Sequence, residues 1–343
     1  MKKELLARLI IILFISLAIA IPVIGRLKLS VNHNNVVELH ARMPENGGWS
    51  LSTIEVKAGK PLKLHITSDD VMHGFSIGKS DQPALEITPG EFVDTTLIFD
   101  TPGRYTFYCD RWCGPNHWRM RGTIVVTGDN QTSQPEPQPL FLKLGIDIDS
   151  PSDAETIPSK PVSAENGAKF QHLLPEYALQ RDTYNATSPA KLWMRLRKES
   201  TLANLPDSDL WDIIAWIWQQ NTTNDQVING QEIFAKNCAA CHGETGEGDG
   251  VMVRGLPVWD PGNHNSGNVM HEATGEGLVR PPDFTDPIHL LGVSPALLEG
   301  KIIRGGMGTG MPYWGPIFTN QQIDSLISYL YTFAWNTRAK NSN

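Results

Sequence analysis

The chain has 343 residues, with 29 Lys or Arg against 37 Asp or Glu, a formal net charge of -8 and a pI near 5.7. That length exceeds one ordinary domain and suits two or three, each able to bury its own core. The acidic balance excludes nucleic acid as the partner and is compatible with a basic protein donor.

The first element in chain order is the apolar run Leu9–Ile24, preceded by Lys2, Lys3 and Arg8 and followed by Arg26 and Lys28. Such a run targets a membrane. It is short against the roughly 20 residues needed to span, but counting from Leu5 and letting Arg8 reach the interface closes the gap. The expectation is a single-pass anchor over residues 1–28 in the cell membrane, with the amino terminus inside and the bulk of the chain on the extracytoplasmic face. A cleaved signal peptide ending near Ala18-Ile19-Ala20 fits the same segment.

Residues 33–128 alternate apolar and polar over short stretches separated by turns. Thr53–Val56, Leu62–Ile66 and Thr95–Phe99 read as strands, with Ala58-Gly59 and Pro102-Gly103 between or after them, so an antiparallel β-sandwich is expected. Within this stretch stands His73, and further on the loop Cys109-Asp110-Arg111-Trp112-Cys113-Gly114-Pro115-Asn116-His117-Trp118-Arg119-Met120. One blue-copper ion needs two His, one Cys and a weak Met, which leaves a thiolate over. Two bridging thiolates account for both if two copper ions share them. Each ion then takes one imidazole, His73 or His117, with Met120 and a loop carbonyl, that of Arg111, as weaker ligands. Tetrahedral zinc on two Cys and two His is the alternative, and it leaves Met120 idle. Two short-range disulfides are the bland reading of the four cysteines, which fall in the pairs Cys109/Cys113 and Cys238/Cys241.

Residues 129–149 begin with a Pro- and Gln-rich stretch that reads as a linker. Beyond it the pattern turns helical. Asp207-Ser208-Asp209 is expected to cap a helix over Leu210–Trp218, and Thr319–Gln322 to lead into one over Ile323–Tyr331. The two look like copies, because Ser188-Pro189-Ala190 with Leu192 and Arg197 precedes the first as Ser294-Pro295-Ala296 with Leu298 and Arg304 precedes the second. Residues 150–225 are therefore either a haem-free remnant of a cytochrome half or an unrelated helical insertion.

In residues 226–338, Cys238-Ala239-Ala240-Cys241-His242 is the attachment motif for a c-type haem: two thioethers from Cys238 and Cys241, and His242 as axial ligand. A lead-in helix is expected over Gly230–Lys236. Met311, in Gly308–Pro312, is the expected sixth ligand, with Met307 as runner-up. Met252, Met270, His264 and His271 read as surface or packing residues, and Arg280–Phe284 as either a haem-edge segment or a plain turn.

Two resemblances follow from these motifs. The stretch from about Val36 to Val126, with its C-x3-C-G-x2-H-x2-M loop, closely resembles the CuA domain of cytochrome c oxidase subunit II, and the single anchor resembles the B-family form. The stretch from about Gln226 to Ala334 is similar to class I cytochromes c. Together they imply a transmembrane helix, a Greek-key cupredoxin sandwich and an all-α cytochrome c domain, holding two copper ions and one covalent haem c. The implied function is that of the electron-input subunit of a haem-copper terminal oxidase. An external cytochrome or cupredoxin would be the donor, and a membrane-embedded catalytic subunit I, which reduces dioxygen, the acceptor. Many relatives carry Glu where this chain has Arg111, a residue that also serves a magnesium ion, so that site is not carried over. A free-standing membrane-anchored carrier remains the alternative. A nitrous oxide reductase, which shares the CuA loop, would need a β-propeller repeat that is absent from the sequence.

Overall fold

The computed structural model describes residues 36–80, 82–114, 116–128, 137–254, 280–306 and 310–335. The expected anchor, much of the linker, Met307, Met270, His264 and His271 lie outside the described residues. Among the described residues no helix is long and apolar enough to cross a membrane.

Eight strands form the first unit: β1 (Val36–Ala41), β2 (Thr53–Lys57), β3 (Pro61–Ser68), β4 (His73–Ile77), β5 (Leu85–Ile87), β6 (Phe92–Ile98), β7 (Gly103–Tyr108) and β8 (Arg121–Thr127). They make a three-stranded sheet in the order β1-β3-β6 and a five-stranded sheet in the order β2-β8-β7-β4-β5. This is a cupredoxin-like sandwich, but it is not purely antiparallel. β1 runs parallel to β3 and β2 parallel to β8, while the other pairs are antiparallel. Alternation reports which face of a strand is buried and carries no information on its direction. Leu39, Leu64 and Ile66 from one sheet meet Phe75, Phe107 and Ile124 from the other. Trp49 stands edge-on to Phe75 and Phe107, at centroid distances of 5.7 and 5.6 Å, and its Nε1–H donates to the Met120 carbonyl at 3.2 Å. The indole thus ties the ligand loop to the core, with its one polar atom satisfied as burial requires.

The second unit is helical: α1 (Leu140–Lys143), α2 (Ala164–Ala168), α3 (Arg181–Ala186), α4 (Pro189–Leu196), α5 (Asp207–Gln220), α6 (Asn224–Asn237), α7 (Ala239–His242), α8 (Pro287–Leu291), α9 (Pro295–Arg304) and α10 (Asn320–Trp335). Thr223 and Gln226 form a reciprocal capping box at the start of α6. Thr319 and Gln322 do the same before α10. The expected acidic cap of α5 is different in kind: Pro206 is the N-cap, and Asp207 and Asp209 occupy the first turn, where carboxylates meet the positive end of the helix dipole.

Residues 150–225 share one continuous apolar core with the rest of the helical unit, in which Trp211 and Trp218 pack with Phe234, Leu326 and Tyr331. The two stretches also match locally. Ser188 and Ser294 each cap a helix that has Pro in its first turn, and each side chain accepts from the backbone N–H three residues on. On α5, Leu210, Ile213, Ile217 and Trp218 are buried at the spacing at which α10 buries Ile323, Leu326, Leu330 and Tyr331. At both helix crossings the contact is made by glycine. A Cβ on Gly167 of α2 would lie 2.0 Å from the Asp212 carbonyl oxygen of α5, and one on Gly230 of α6 would lie 2.1 Å from that of Ser325 on α10.

Backbone oxygens cannot swing aside, so the helices must part to admit a methyl group. Gly230→Ala is therefore expected to cost about 1–3 kcal/mol of stability. Thermal unfolding followed by far-ultraviolet circular dichroism measures this, and an unchanged melting temperature would show that the α6–α10 crossing is not close-packed.

Candidate metal centres

The loop residues expected to bind copper converge at one end of the sandwich. His73 opens β4 and is fully buried; Cys109 directly follows β7 and Met120 directly precedes β8. The Cys109 N–H donates to the Met120 carbonyl at 3.0 Å, which closes the loop. A single helical turn at His117–Arg119 is entered through Asn116 in the left-handed region, a conformation Asn tolerates better than most residues.

Six donors meet there. The two sulfurs Cys109 Sγ and Cys113 Sγ are 3.9 Å apart. Cys109 Sγ is 3.8 Å from His73 Nδ1 and 3.1 Å from the Arg111 carbonyl oxygen. Cys113 Sγ is 3.3 Å from His117 Nδ1 and 3.9 Å from Met120 Sδ. One ligand atom from each of His73, Cys109 and Cys113 lies within 4.8 Å of the others. Each imidazole thus faces a different sulfur, with one weak donor beside each. Soft thiolate, thioether and imidazole donors select copper, and six of them exceed what a single tetrahedral ion takes.

The charges point the same way. Cys109 is pulled well below the ordinary thiol range, first by its hydrogen bond with Cys113 and further by His117 and His73, against a burial that raises it. Cys113 is pushed far up, first by the hydrogen bond with Cys109 and then by burial. The two sulfurs are thus driven in opposite directions, and a second thiolate beside the first requires cations.

Asp70 supports this cluster, and nothing in the sequence marked it out. Its Oδ1 accepts from His73 Nε2 at 2.8 Å, which turns Nδ1 toward the sulfurs. The carboxylate also receives the Met43 and Val71 N–H groups, both at 2.7 Å, and Asn46 Nδ2 at 3.1 Å. Burial pushes its pKa up, but the bonds from His73 and these donors outweigh it and hold the carboxyl at about 2. An Asp three residues before a His is too common in turns to be singled out by spacing. The Arg111 guanidinium turns away to Glu86, with Nη2 2.7 Å from Oε2, and leaves its carbonyl facing the site. Beside it lies a cleft of about 400 Å³ whose lining includes Glu86, Asp110, Arg111 and Trp112 from the sandwich and Lys236 from α6.

In the helical unit, Cys238 caps α6, and Cys241 and His242 end the short helix α7. His242 lies against Phe284, with ring centroids 4.8 Å apart and planes within 15°. Burial lowers its pKa to about 4, so the imidazole is neutral, and its Nδ1 is buried with no hydrogen-bond partner among the described residues. Burial also keeps Cys238 and Cys241 as neutral thiols, raised to about 12 and 11. A neutral imidazole directly after two half-buried cysteine thiols suits covalent haem attachment.

The loop after His242 depends on glycine. Gly248 has φ +70°, and a Cβ there would stand 2.4 Å from the Pro281 carbonyl oxygen. Its N–H donates to the His242 carbonyl at 2.8 Å, and its own carbonyl accepts from Arg280 Nε at 3.1 Å. The segment 280–284 is thereby laid over the attachment motif, with Phe284 on the imidazole. Met311 is half-buried against the helical core, and its carbonyl accepts the Gly306 N–H at 3.1 Å. Met252 lies in a separate turn, Val251–Val253, after the glycine loop.

Comparison with known proteins separates the same two units. Residues 50–128 match the family model described as Cytochrome C oxidase subunit II, periplasmic domain, and residues 227–334 match that of Cytochrome c. A Cytochrome c oxidase subunit 2 of Thermus thermophilus is 39% identical over 79 residues, which are 23% of this chain and 58% of that protein. A Nitrous-oxide reductase of Ralstonia nicotianae is 33% identical over 82 residues, 23% of this chain but 12% of that protein. The Cbb3-type cytochrome c oxidase subunit FixP of Azorhizobium caulinodans is 33% identical over 103 residues, 30% of this chain and 26% of that protein. The chain thus spans little more than half of the first of these relatives and far less of the others. It joins a subunit-II-like copper domain to a cytochrome c domain.

Asp70→Asn keeps the shape of the His73 contact and removes its charge. It is expected to weaken copper binding about 10–100-fold, as read by titration of the metal-free chain with cuprous ion under a competing chelator. Unchanged affinity would show that Asp70 does not orient a metal-binding imidazole.

Proposed function

We propose that this chain is the electron-input subunit, subunit II, of a haem-copper terminal oxidase. It accepts electrons from an external donor protein at its cytochrome c domain and delivers them through its copper domain to a catalytic subunit in the membrane, where dioxygen is reduced. The observation that carries this reading is the convergence of soft donors at one end of the sandwich in a chain that also carries a haem-attachment motif, which together support two redox sites. The first is built by His73, Cys109, Cys113, His117, Met120 and the Arg111 carbonyl. The second is built by Cys238, Cys241 and His242, with Met311 as the further axial ligand.

When bound, a copper pair and a haem c would supply reversible one-electron storage. The residues contribute rigidity and low polarity: a close-packed sandwich on one side and a buried, aromatic-lined imidazole on the other keep ligand movement on oxidation small. The apolar segment near the amino terminus would anchor the chain, with both units on the extracytoplasmic side. Residues 150–225 would be a haem-free copy of the cytochrome c half. The paired serine caps and the paired glycine crossings support this, and in the copy Trp193 stacks on Trp211 at 5.8 Å while Tyr184 packs against Trp218 at 5.3 Å, filling the interior with rings.

The test is the composition of the soluble chain, expressed with copper and with haem-attachment machinery. Two coppers and one covalent haem per chain are expected, with a low-temperature paramagnetic resonance spectrum of one unpaired electron shared over two copper nuclei. The spectrum of a single copper nucleus, or zinc in its place, would overturn the copper-pair assignment. Failure of the same chain to co-purify with, and reduce, a haem-copper catalytic subunit would favour a free-standing carrier.

A further inference from the structure

The sandwich and the helical unit meet along a seam, and the residues that form it stand next to the proposed ligands. Arg121 follows Met120 and opens β8. Its Nη1 donates to the Tyr313 carbonyl at 2.7 Å, and its guanidinium carbon lies 4.8 Å from the centroid of the Tyr313 ring and 5.3 Å from that of Trp314. No carboxylate pairs with it among the described residues. Tyr108, the residue before Cys109, packs against the helical core. At the end of β4 the Lys79 N–H donates to the Ile317 carbonyl at 2.8 Å, and a Cβ on Gly78 would stand 2.3 Å from the Pro316 carbonyl oxygen.

On the other side of the seam, the accepting segment starts two residues after Met311 and is fixed to its own unit. The Trp314 and Gly315 N–H groups each donate at 3.1 Å, to the carbonyls of Ile302 and Ile303 at the end of α9, and the Trp314 ring stacks on Phe318 at 5.0 Å. Arg121 therefore grips a rigid segment that begins two residues after one proposed iron ligand, from a strand that begins directly after one proposed copper ligand.

We propose that Arg121 is the positioning residue that holds the cytochrome c domain in a single docked pose on the copper domain, its guanidinium bridging the Met120 end of one site to the Met311 end of the other. The proposal rests on the two-site reading given above. Residues 140–149, expected to belong to the linker, instead pack on the helical core. Only the Pro- and Gln-rich stretch before α1 has the composition that would let two domains swing, and inter-domain contacts of modest size move by default. What opposes the motion here is a planar cation shared between one carbonyl and two ring faces. Arg makes such a contact well, whereas Lys, as a point charge, recovers little of it. Because the partners are a carbonyl and two rings in place of a carboxylate, the docking is expected to persist at high salt. With both groups bound, one electron would pass per event, the haem iron going from ferrous to ferric as the copper pair gains that electron, with no proton or bond exchanged.

The experiment uses the full soluble chain carrying both groups, and Arg121→Ala, Arg121→Lys and Gly78→Leu variants of it. Gly78→Leu wedges the other end of the seam without touching the proposed ligand loop. Two readouts are followed: amide hydrogen exchange at Lys79 and Trp314–Ile317 with small-angle scattering, and the rate of haem-to-copper transfer after flash reduction, as a function of viscosity. Arg121→Ala and Gly78→Leu should speed exchange at Lys79 at least about tenfold, extend the particle, and slow transfer at least about tenfold in a viscosity-dependent way. The copper resonance spectrum and haem absorption should stay as in the parent chain, and Arg121→Lys should restore little. Unchanged exchange and transfer in both Arg121→Ala and Gly78→Leu would overturn the clamp. Where Arg121→Ala alone alters the copper spectrum, Gly78→Leu decides. A parent chain that holds both groups docked, by exchange and scattering, yet passes no electron between them would instead overturn the two-site reading.

Discussion

Two cysteine sulfurs buried 3.9 Å apart in an apolar sandwich impose the constraint round which this molecule is organised. Either only one of them is a thiolate, held by the imidazoles beside it, or cations enter to balance two. The second alternative demands that every other donor be held in place before a cation arrives. The structure meets that demand from several directions: Asp70 fixes the tautomer and tilt of His73, Trp49 holds the Met120 carbonyl, and the Cys109–Met120 backbone bond keeps the loop from opening. Gly74 and Gly122 contribute by omission, since a Cβ at the first would meet Asp110 and at the second the Phe107 ring.

The helical unit solves a related problem by different means. Its imidazole is kept neutral by burial alone, with no carboxylate against it, and its orientation comes from a ring stacked on Phe284 and from a glycine loop that bonds back to its own carbonyl. A carboxylate near the His73 site suits a centre that must balance cationic metals. The aromatic contacts of His242 with Phe284 and Phe234 suit a neutral imidazole. The contrast between the two histidines is therefore chemical as well as topological.

Much of this was legible in the sequence because ligand spacing survives translation into any fold. The interval from Cys109 to Met120 and the run Cys238–His242 led to residues that the structure brings into contact or places on one short helix. Strand and helix positions followed from periodicity, and the box Thr319–Gln322 from its residue types. What was not legible depends on encounters between distant segments. Parallel pairing of β1 with β3 and of β2 with β8 leaves no mark on alternation. The Asp207–Asp209 cluster was read as a cap because carboxylates at a helix start serve both roles, and Pro206 alone decided which. Asp70 and Arg121 carry no spacing signature: one is recognised by the ring nitrogen it faces, the other by a carbonyl almost two hundred residues away in the chain.

The seam gives these local facts a common direction. Arg121 is one residue from Met120, and Tyr313 is two residues from Met311, so a shift at this contact would reach the edge of both proposed sites. A guanidinium between a carbonyl and two aromatic faces tolerates small rotations but not separation, because its hydrogen bond and ring contacts are lost together. A linker rich in proline would by itself favour separation at most orientations. The fold therefore places a cation-mediated inter-domain contact next to both proposed sites, while a cleft lined by Arg111 and Lys236 lies elsewhere on the border.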